Sequence, residues 1–199
     1  MEERARRLAT WEDLLATAED GRKYEVLEGT LEAFPRPLFR HAHAQAVLSS
    51  ELLSPFERGR GGPGGWLFAV EPDVSFGPND IVAPDLVGWR REHFPAFPRT
   101  RPIHVIPDCV CEVLSPSTER RDRIHKANLY LKGGVPFYWI LDVDARTLEA
   151  FARREGAWVR LGAGTDGDSP RIAPFEAIEL DVGALLPPPE DVEPEVKGS

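Results

Sequence analysis

The sequence predicts an α/β (α+β) domain in which a mixed β-sheet is flanked by helices, and three observations predict it. The chain has 199 residues, the size of one domain able to bury a full core without disulfide or metal staples. Its apolar content of 42%, with ten Phe and five Trp, is that of a globular protein, and no apolar run reaches the ~18 residues needed to span a bilayer. Apolar positions alternate in some stretches and recur at helical spacing in others, in the order α-β-β-α-β-β-β-α-β-β. A mixed sheet between helices accommodates that order. One domain over residues 1–186 is expected, followed by an acidic, proline-rich, disordered tail over 187–199, "PPPEDVEPEVKGS".

The first element, "MEERARRLATWEDLLATAEDG", reads as a short charged helix and lacks the apolar centre and cleavage site of a secretory signal. A soluble, cytoplasmic protein is the expectation. "KYEVLEGTLEAF" alternates around Glu28-Gly29 as a β-hairpin. "HAHAQAVLSSELLSPFERG" carries Ala44, Val47, Leu48 and Leu52 at helical spacing. The glycine-rich "RGRGGPGGW" ends that helix. It lacks the terminal Gly-Lys-Ser/Thr of a phosphate-binding loop and does not lead from a strand into a helix. Three strands follow in "WLFAVEPDVSF", "DIVAPDLVGW" and "HVIPDCVCEVLSP", then a helix from about Thr118 to Lys132, stopped by Gly133-Gly134. Strands "PFYWILDVD" and "TLEAFARREGAWVRL" close the fold.

Cys109 and Cys111 are two residues apart on a strand, where both point the same way and cannot close an unstrained disulfide. They read as small buried apolar residues, and a zinc site would need further Cys or His ligands at suitable spacing. The net charge of −9 weighs against a nucleic-acid partner, but its distribution does not. From Ile81 to Arg146 there are ten Arg or Lys against eight Asp or Glu, so the acid is concentrated towards the ends.

The strand "CEVL" poses the sharpest question, because it sets a carboxylate among apolar residues. Val110, Glu112 and Leu114 share one face, Cys109, Cys111 and Val113 the other. A lone ionised carboxylate buried there would cost several kcal/mol, so Glu112 must be protonated, paired with a base or bound to a cation. The preceding strand has the same oddity at Asp85, which follows Pro84, and Asp and Pro are both poor strand residues. If the two strands are neighbours, two carboxylates converge and repel each other unless a hard cation such as Mg²⁺ lies between them. Asp122 and Lys126 share one helical face, from which Lys126 could reach such a site. A solvated helix salt bridge is the alternative reading of that pair. Arg120, Arg121 and Arg123 stand nearby as candidate contacts to a nucleic-acid backbone.

A Pro-Asp on one strand followed by an acid on the next resembles the PD-(D/E)XK nuclease superfamily, with its restriction-endonuclease-like fold. More closely, "APDLVGW", "CEVLSPSTERRDRIHKANLYLKGGVPFYWILD" and "KYEVLEGTLE" resemble the Uma-two-type endonuclease family, formerly grouped as a domain of unknown function. The resemblance runs from about Trp11 to Leu186. It implies a Mg²⁺- or Mn²⁺-dependent endonuclease acting on nucleic acid, DNA in the first instance, with Asp85 and Glu112 as metal ligands and Lys126 as the catalytic lysine. Asp122, Glu25 and His41 are supporting residues on the same grounds. The superfamily pattern would put the lysine two residues after the acid, where this chain has Leu114, so the helix must supply it. A second Pro-Asp, Pro72-Asp73, competes with Asp85 for the role of catalytic acid. Many proteins of this fold act as dimers, two sites cutting two strands, so a homodimer is one arrangement to expect. Two alternatives stay open: a non-catalytic nucleic-acid or protein-binding module on the same scaffold, and a metal-dependent hydrolase of another substrate.

Overall fold

A computed structural model describes residues 7–17, 22–94, 96–116 and 118–188. Within them the chain begins with α1 (Trp11–Leu15) and the hairpin of β1 (Lys23–Leu27) and β2 (Thr30–Phe34). The hairpin turns through Glu28 at φ 51° and Gly29 at φ 70°, the paired left-handed conformation that matches the twist of the flanking strands. Helix α2 (Phe39–Leu52) follows and runs on into one π-helical turn over Leu53–Glu57. Its expected stripe of Ala44, Leu48 and Leu52 is buried.

Two of the three central strand candidates divide. "WLFAVEPDVSF" forms β3 (Trp66–Val70) and β4 (Val74–Gly77), and "DIVAPDLVGW" forms β5 (Asp80–Val82) and β6 (Leu86–Arg90). The breaks fall at Pro72 and Pro84, residues that cannot donate to a strand ladder. At each break the chain leaves one sheet for another. The architecture is therefore two sheets: a four-stranded antiparallel one in the order β2-β1-β5-β4, and a six-stranded mixed one in the order β10-β9-β8-β7-β6-β3. In the larger sheet β7 (Cys109–Leu114) runs antiparallel to β6 and parallel to β8 (Phe137–Asp142). The expected last strand is a hairpin, β9 (Thr147–Arg154) and β10 (Ala157–Thr165), turning through Glu155-Gly156, both at positive φ.

The large sheet separates two cores. Cys109, Cys111 and Val113 pack on one face with α2 and with Phe175, Leu180, Val182 and Leu185 of the C-terminal stretch, which carries the short helix α4 (Val182–Leu185). That closing stretch was not part of the expected element order. Val110 and Leu114 pack on the other face, with Leu27, Val74 and Val82 of the small sheet and Ala127 and Tyr130 of α3 (Ala127–Gly133). The alternation of β7 thus falls as its sequence requires, and Glu112 points into the second core, between the sheets.

The helix expected over residues 118–132 contains a π-helical turn, Arg121–Lys126, ahead of α3. The Ala127 N–H donates to the Asp122 carbonyl, an i to i+5 bond that widens the winding. The helix stops where Gly134 takes φ 87° and the Val135 N–H reaches back to the Tyr130 carbonyl at 3.0 Å. Nearly all of the proline-rich tail and the start of the first helix lie outside the described residues. No helix among the described residues is long and apolar enough to cross a membrane.

Because a Cβ penalises the left-handed conformation, Gly134→Ala should cost ~1 kcal/mol, read as a lower urea midpoint at unchanged slope.

Candidate active site

Asp85 owes its position to the break at Pro84. Ile81 in β5 pairs with β1 of the small sheet, whereas Leu86 in β6 pairs with Cys111 of the large one. Residues 83–85 cross between them, all buried. Their backbone groups have left the ladders and are met by side chains instead. Glu25 accepts from the Ala83 N–H at 3.0 Å, and Gln45 Nε2 donates to the Asp85 carbonyl at 2.8 Å. The register then lays Asp85 beside Glu112: the Asp85 N–H donates to Glu112 Oε2 at 3.3 Å, and the Val113 N–H donates to Asp85 Oδ2 at 2.8 Å. The two carboxylates interlock across neighbouring strands.

The π-helical turn delivers the cations. Winding with five residues between bonded groups brings Arg121 and Lys126 towards one face, and both reach Glu25. Lys126 Nζ lies 3.1 Å from Glu25 Oε1, 3.0 Å from Glu112 Oε1 and 3.8 Å from Asp122 Oδ1. Arg121 lies 3.4 Å from Glu25 and 3.3 Å from Asp122, with its guanidinium 3.5 Å above the Phe34 ring. Tyr130, one turn beyond Lys126, donates its hydroxyl to Glu112 Oε1. On the other side His41 Nε2 lies 3.2 Å from Asp85 Oδ2, and Lys23 Nζ 3.7 Å from Asp85 Oδ1.

Burial and charge pull these groups apart. Burial lifts Glu112, Lys126 pulls it down, and the charges of Asp85, Asp122 and Glu25 lift it again, to about 7. Burial would lower Lys126, but Glu112, Glu25 and Asp122 outweigh it and hold the ammonium charged far above neutral pH. Asp85 is buried too, yet the His41 hydrogen bond and the charge of Lys23 keep it well below the usual carboxylate range. Glu25 is also lowered despite its burial, chiefly by Lys126 and Arg121. For Asp122 burial wins and its carboxyl is raised. The pair is thus split, one carboxyl strongly acidic beside its cations and one kept protonated chiefly by burial.

These groups form the floor of a cavity of about 310 Å³, lined by Lys23, His41, Asp85, Glu112, Asp122 and Lys126 below and by Phe34, Pro35, Pro37, Leu38 and Pro116 around its walls. The Uma2 family, described as "Putative restriction endonuclease", matches residues 11–183. The chain belongs to the Uma2 family. The crystal structure of "a putative nuclease belonging to DUF820" from Anabaena variabilis ATCC 29413 superposes with a TM-score of 0.70 at 19% identity, covering 89% of this chain and 97% of that one. That likeness shows a shared fold. No curated relative matches the chain.

All six of Asp85, Glu112, Lys126, Asp122, Glu25 and His41 meet in this Uma2 cavity or directly beneath it. The three arginines separate. Arg121 is committed to Glu25, Asp122 and the Phe34 ring. Arg123 is bound to Glu119, Asp142 and Glu149, none of which lines the cavity. Arg120 borders a neighbouring hollow with His125 and Thr30. Asp73, of the competing Pro-Asp, is held by Arg101 away from the cavity floor. Reading the sequence missed Lys23, Tyr130, Gln45 and Glu71. Spacing carried the signal for three: Lys23 is two residues from Glu25 on one strand face, Tyr130 four from Lys126, and Gln45 four from His41.

The donor chemistry suits a hard divalent cation. Asp85 Oδ1 lies 3.7 Å from Lys23 Nζ, and Glu112 Oε2 accepts one long backbone bond at 3.3 Å. Among the described residues no three His, Cys, Asp or Glu side chains are gathered to hold an ion alone. Two carboxylates completed by waters is the set that Mg²⁺ takes.

Removing the ammonium takes the nearest cation from buried Glu112 and Glu25 and leaves Arg121 alone against Glu25 and Asp122, so Lys126→Met should cost about 3 kcal/mol or more at neutral pH. The deficit should widen as pH rises above about 7. Glu112 already titrates near 7 in the folded protein against an ordinary 4.5, so folded chains keep protons that unfolded ones release and stability falls as pH rises through that window. Without Lys126 the window extends upward. Urea unfolding at several pH values measures both effects.

Proposed function

We propose that the protein is a Mg²⁺- or Mn²⁺-dependent endonuclease that hydrolyses phosphodiester bonds, with DNA as its substrate. The observation that carries this reading is the interlocked Asp85–Glu112 pair, both lining the cavity and each held by a separate set of donors. Membership of the Uma2 family supports it.

Asp85 Oδ1 and Glu112 Oε2 would hold the ion. His41 and the Val113 N–H grip Asp85 Oδ2, which leaves Oδ1 to the cavity. Lys126 and Tyr130 grip Glu112 Oε1, while Oε2 carries only the long bond from the Asp85 N–H among the hydrogen bonds described. Glu25, through its contacts to Lys126, Arg121 and the Ala83 N–H, fixes the helix against the crossing segment. A divalent cation bound there supplies a lowered pKa for an attacking water and stabilises charge on the phosphate. Glu112, Glu25 and Asp122 hold Lys126 as an ammonium at neutral pH. Its contribution is a fixed positive field beneath the site. The apolar walls of Phe34, Pro35, Pro37 and Leu38 limit bulk water, which strengthens every charge interaction on the floor.

Incubation with supercoiled plasmid and single-stranded DNA tests this. The parent should cut in Mg²⁺ or Mn²⁺ and stop in EDTA, and Asp85→Asn and Glu112→Gln should each lower the rate by ~10²-fold or more. Cutting by both variants at the parent rate would point to a contaminant and end the assignment. Metal-dependent binding of DNA without cutting would favour a non-catalytic binding module instead.

A further inference from the structure

Two lysines reach this cavity, and their surroundings differ. The Lys126 side chain is 1% exposed and its three ammonium donors face three carboxylates, Glu112, Glu25 and Asp122. Leaving that nest to meet a substrate would take from Glu112 the cation that bonds it and leave Glu25 and Asp122 to Arg121. Lys23, by contrast, begins β1 with its side chain 21% exposed. Its ammonium lies 3.6 Å from Glu71 Oε1 and 3.7 Å from Asp85 Oδ1, both longer than a hydrogen bond. Its hydrogen-bonding capacity is therefore unspent on these partners, while their charge keeps it at the cavity edge.

The frame that keeps it there is specific. Alternation along β1 turns Lys23 to the same side as Glu25, so the strand that anchors Lys126 from beneath also presents Lys23 from the side. Glu71, at the corner between β3 and β4, takes φ 48°, a conformation rare for a glutamate. That corner lines the cavity and places a second carboxylate beside Lys23.

We infer that Lys23, rather than Lys126, is the lysine that contacts the scissile phosphate, an inference that rests on the phosphodiesterase reading above. A phosphate entering the cavity exchanges the two long ion pairs of Lys23 for shorter, charge-assisted hydrogen bonds to its non-bridging oxygens. No proton moves in that exchange. As the ammonium shifts to the phosphate, Asp85 Oδ1 gives up this ion pair and can face a cation instead. Lys23 is thus a catalytic residue through substrate contact, and Lys126 is the buried counter-ion of the carboxylates.

Lys23→Gln and Lys23→Arg are compared with the parent for plasmid cleavage in Mg²⁺ and for binding of a fluorescent oligonucleotide in Ca²⁺ across a salt series. Lys23→Gln should lower kcat/KM by ~10- to 100-fold and reduce the slope of log affinity against log salt by about one, the signature of one lost phosphate contact. Lys23→Arg should restore the slope and part of the rate. Parent-like cleavage and slope in Lys23→Gln would overturn the inference and leave the nuclease reading standing. A slower rate at an unchanged slope would make Lys23 an orienting partner of Asp85 only, and would equally overturn the phosphate contact. A parent protein that neither binds nor cuts would remove the nuclease reading and this inference together.

Discussion

Burying the ammonium of Lys126 is the constraint on which the rest depends. A charge in that position costs several kcal/mol unless partners surround it, and the partners come from three separate places. Glu25 comes from the small sheet, Glu112 from the centre of the large sheet, and Asp122 from the π-helical turn that also carries the lysine. The ion cluster therefore ties the two sheets and the helix at one point. Burial itself, with the charges of Asp85, Asp122 and Glu25 added to it, outweighs Lys126 at Glu112, which retains a proton up to about pH 7. A carboxyl kept protonated by burial beside an ionised one is a pair whose protonation a bound cation would change.

The break at Pro84 does the complementary work. Had the strand continued straight, Asp85 would lie in a regular ladder with its backbone groups paired and its side chain locked between neighbours. By crossing from one sheet to the other, the chain frees those backbone groups for Glu25 and Gln45 and brings Asp85 into register with Glu112. Fold and site are thus two consequences of one interruption. The interruption at Pro72 has a parallel effect, since it sets Glu71 beside Lys23 at the cavity edge.

Much of this was legible in the sequence, for identifiable reasons. Period-two alternation in β7 gave Glu112 its face, Pro-Asp flagged Asp85, and the four-residue spacing of Asp122 and Lys126 put both on one side of a helix. What stayed hidden were features set by tertiary pairing. Nothing local says that a proline break sends a strand to a different sheet, so one expected sheet became two. The π-helical turn has no residue signature, although it decides that Arg121 turns inward to Glu25 and Phe34 rather than outward to a backbone phosphate. Lys23 and Tyr130 look like an ordinary strand-edge lysine and a core tyrosine until their partners are known. His41, a weak candidate by residue type at a helix start, gains its weight from Asp85 at 3.2 Å.

Calorimetric titration of the protein with Mn²⁺ at pH 6, in two buffers of different ionisation enthalpy, tests most directly whether a cation takes the place of the Glu112 proton. About one proton should leave per ion bound at pH 6, the release should fade above pH 8, and Glu112→Gln should abolish it. Mn²⁺ binding with no proton release, or with the same release in Glu112→Gln, would contradict the proposal that Glu112 exchanges its proton for a metal.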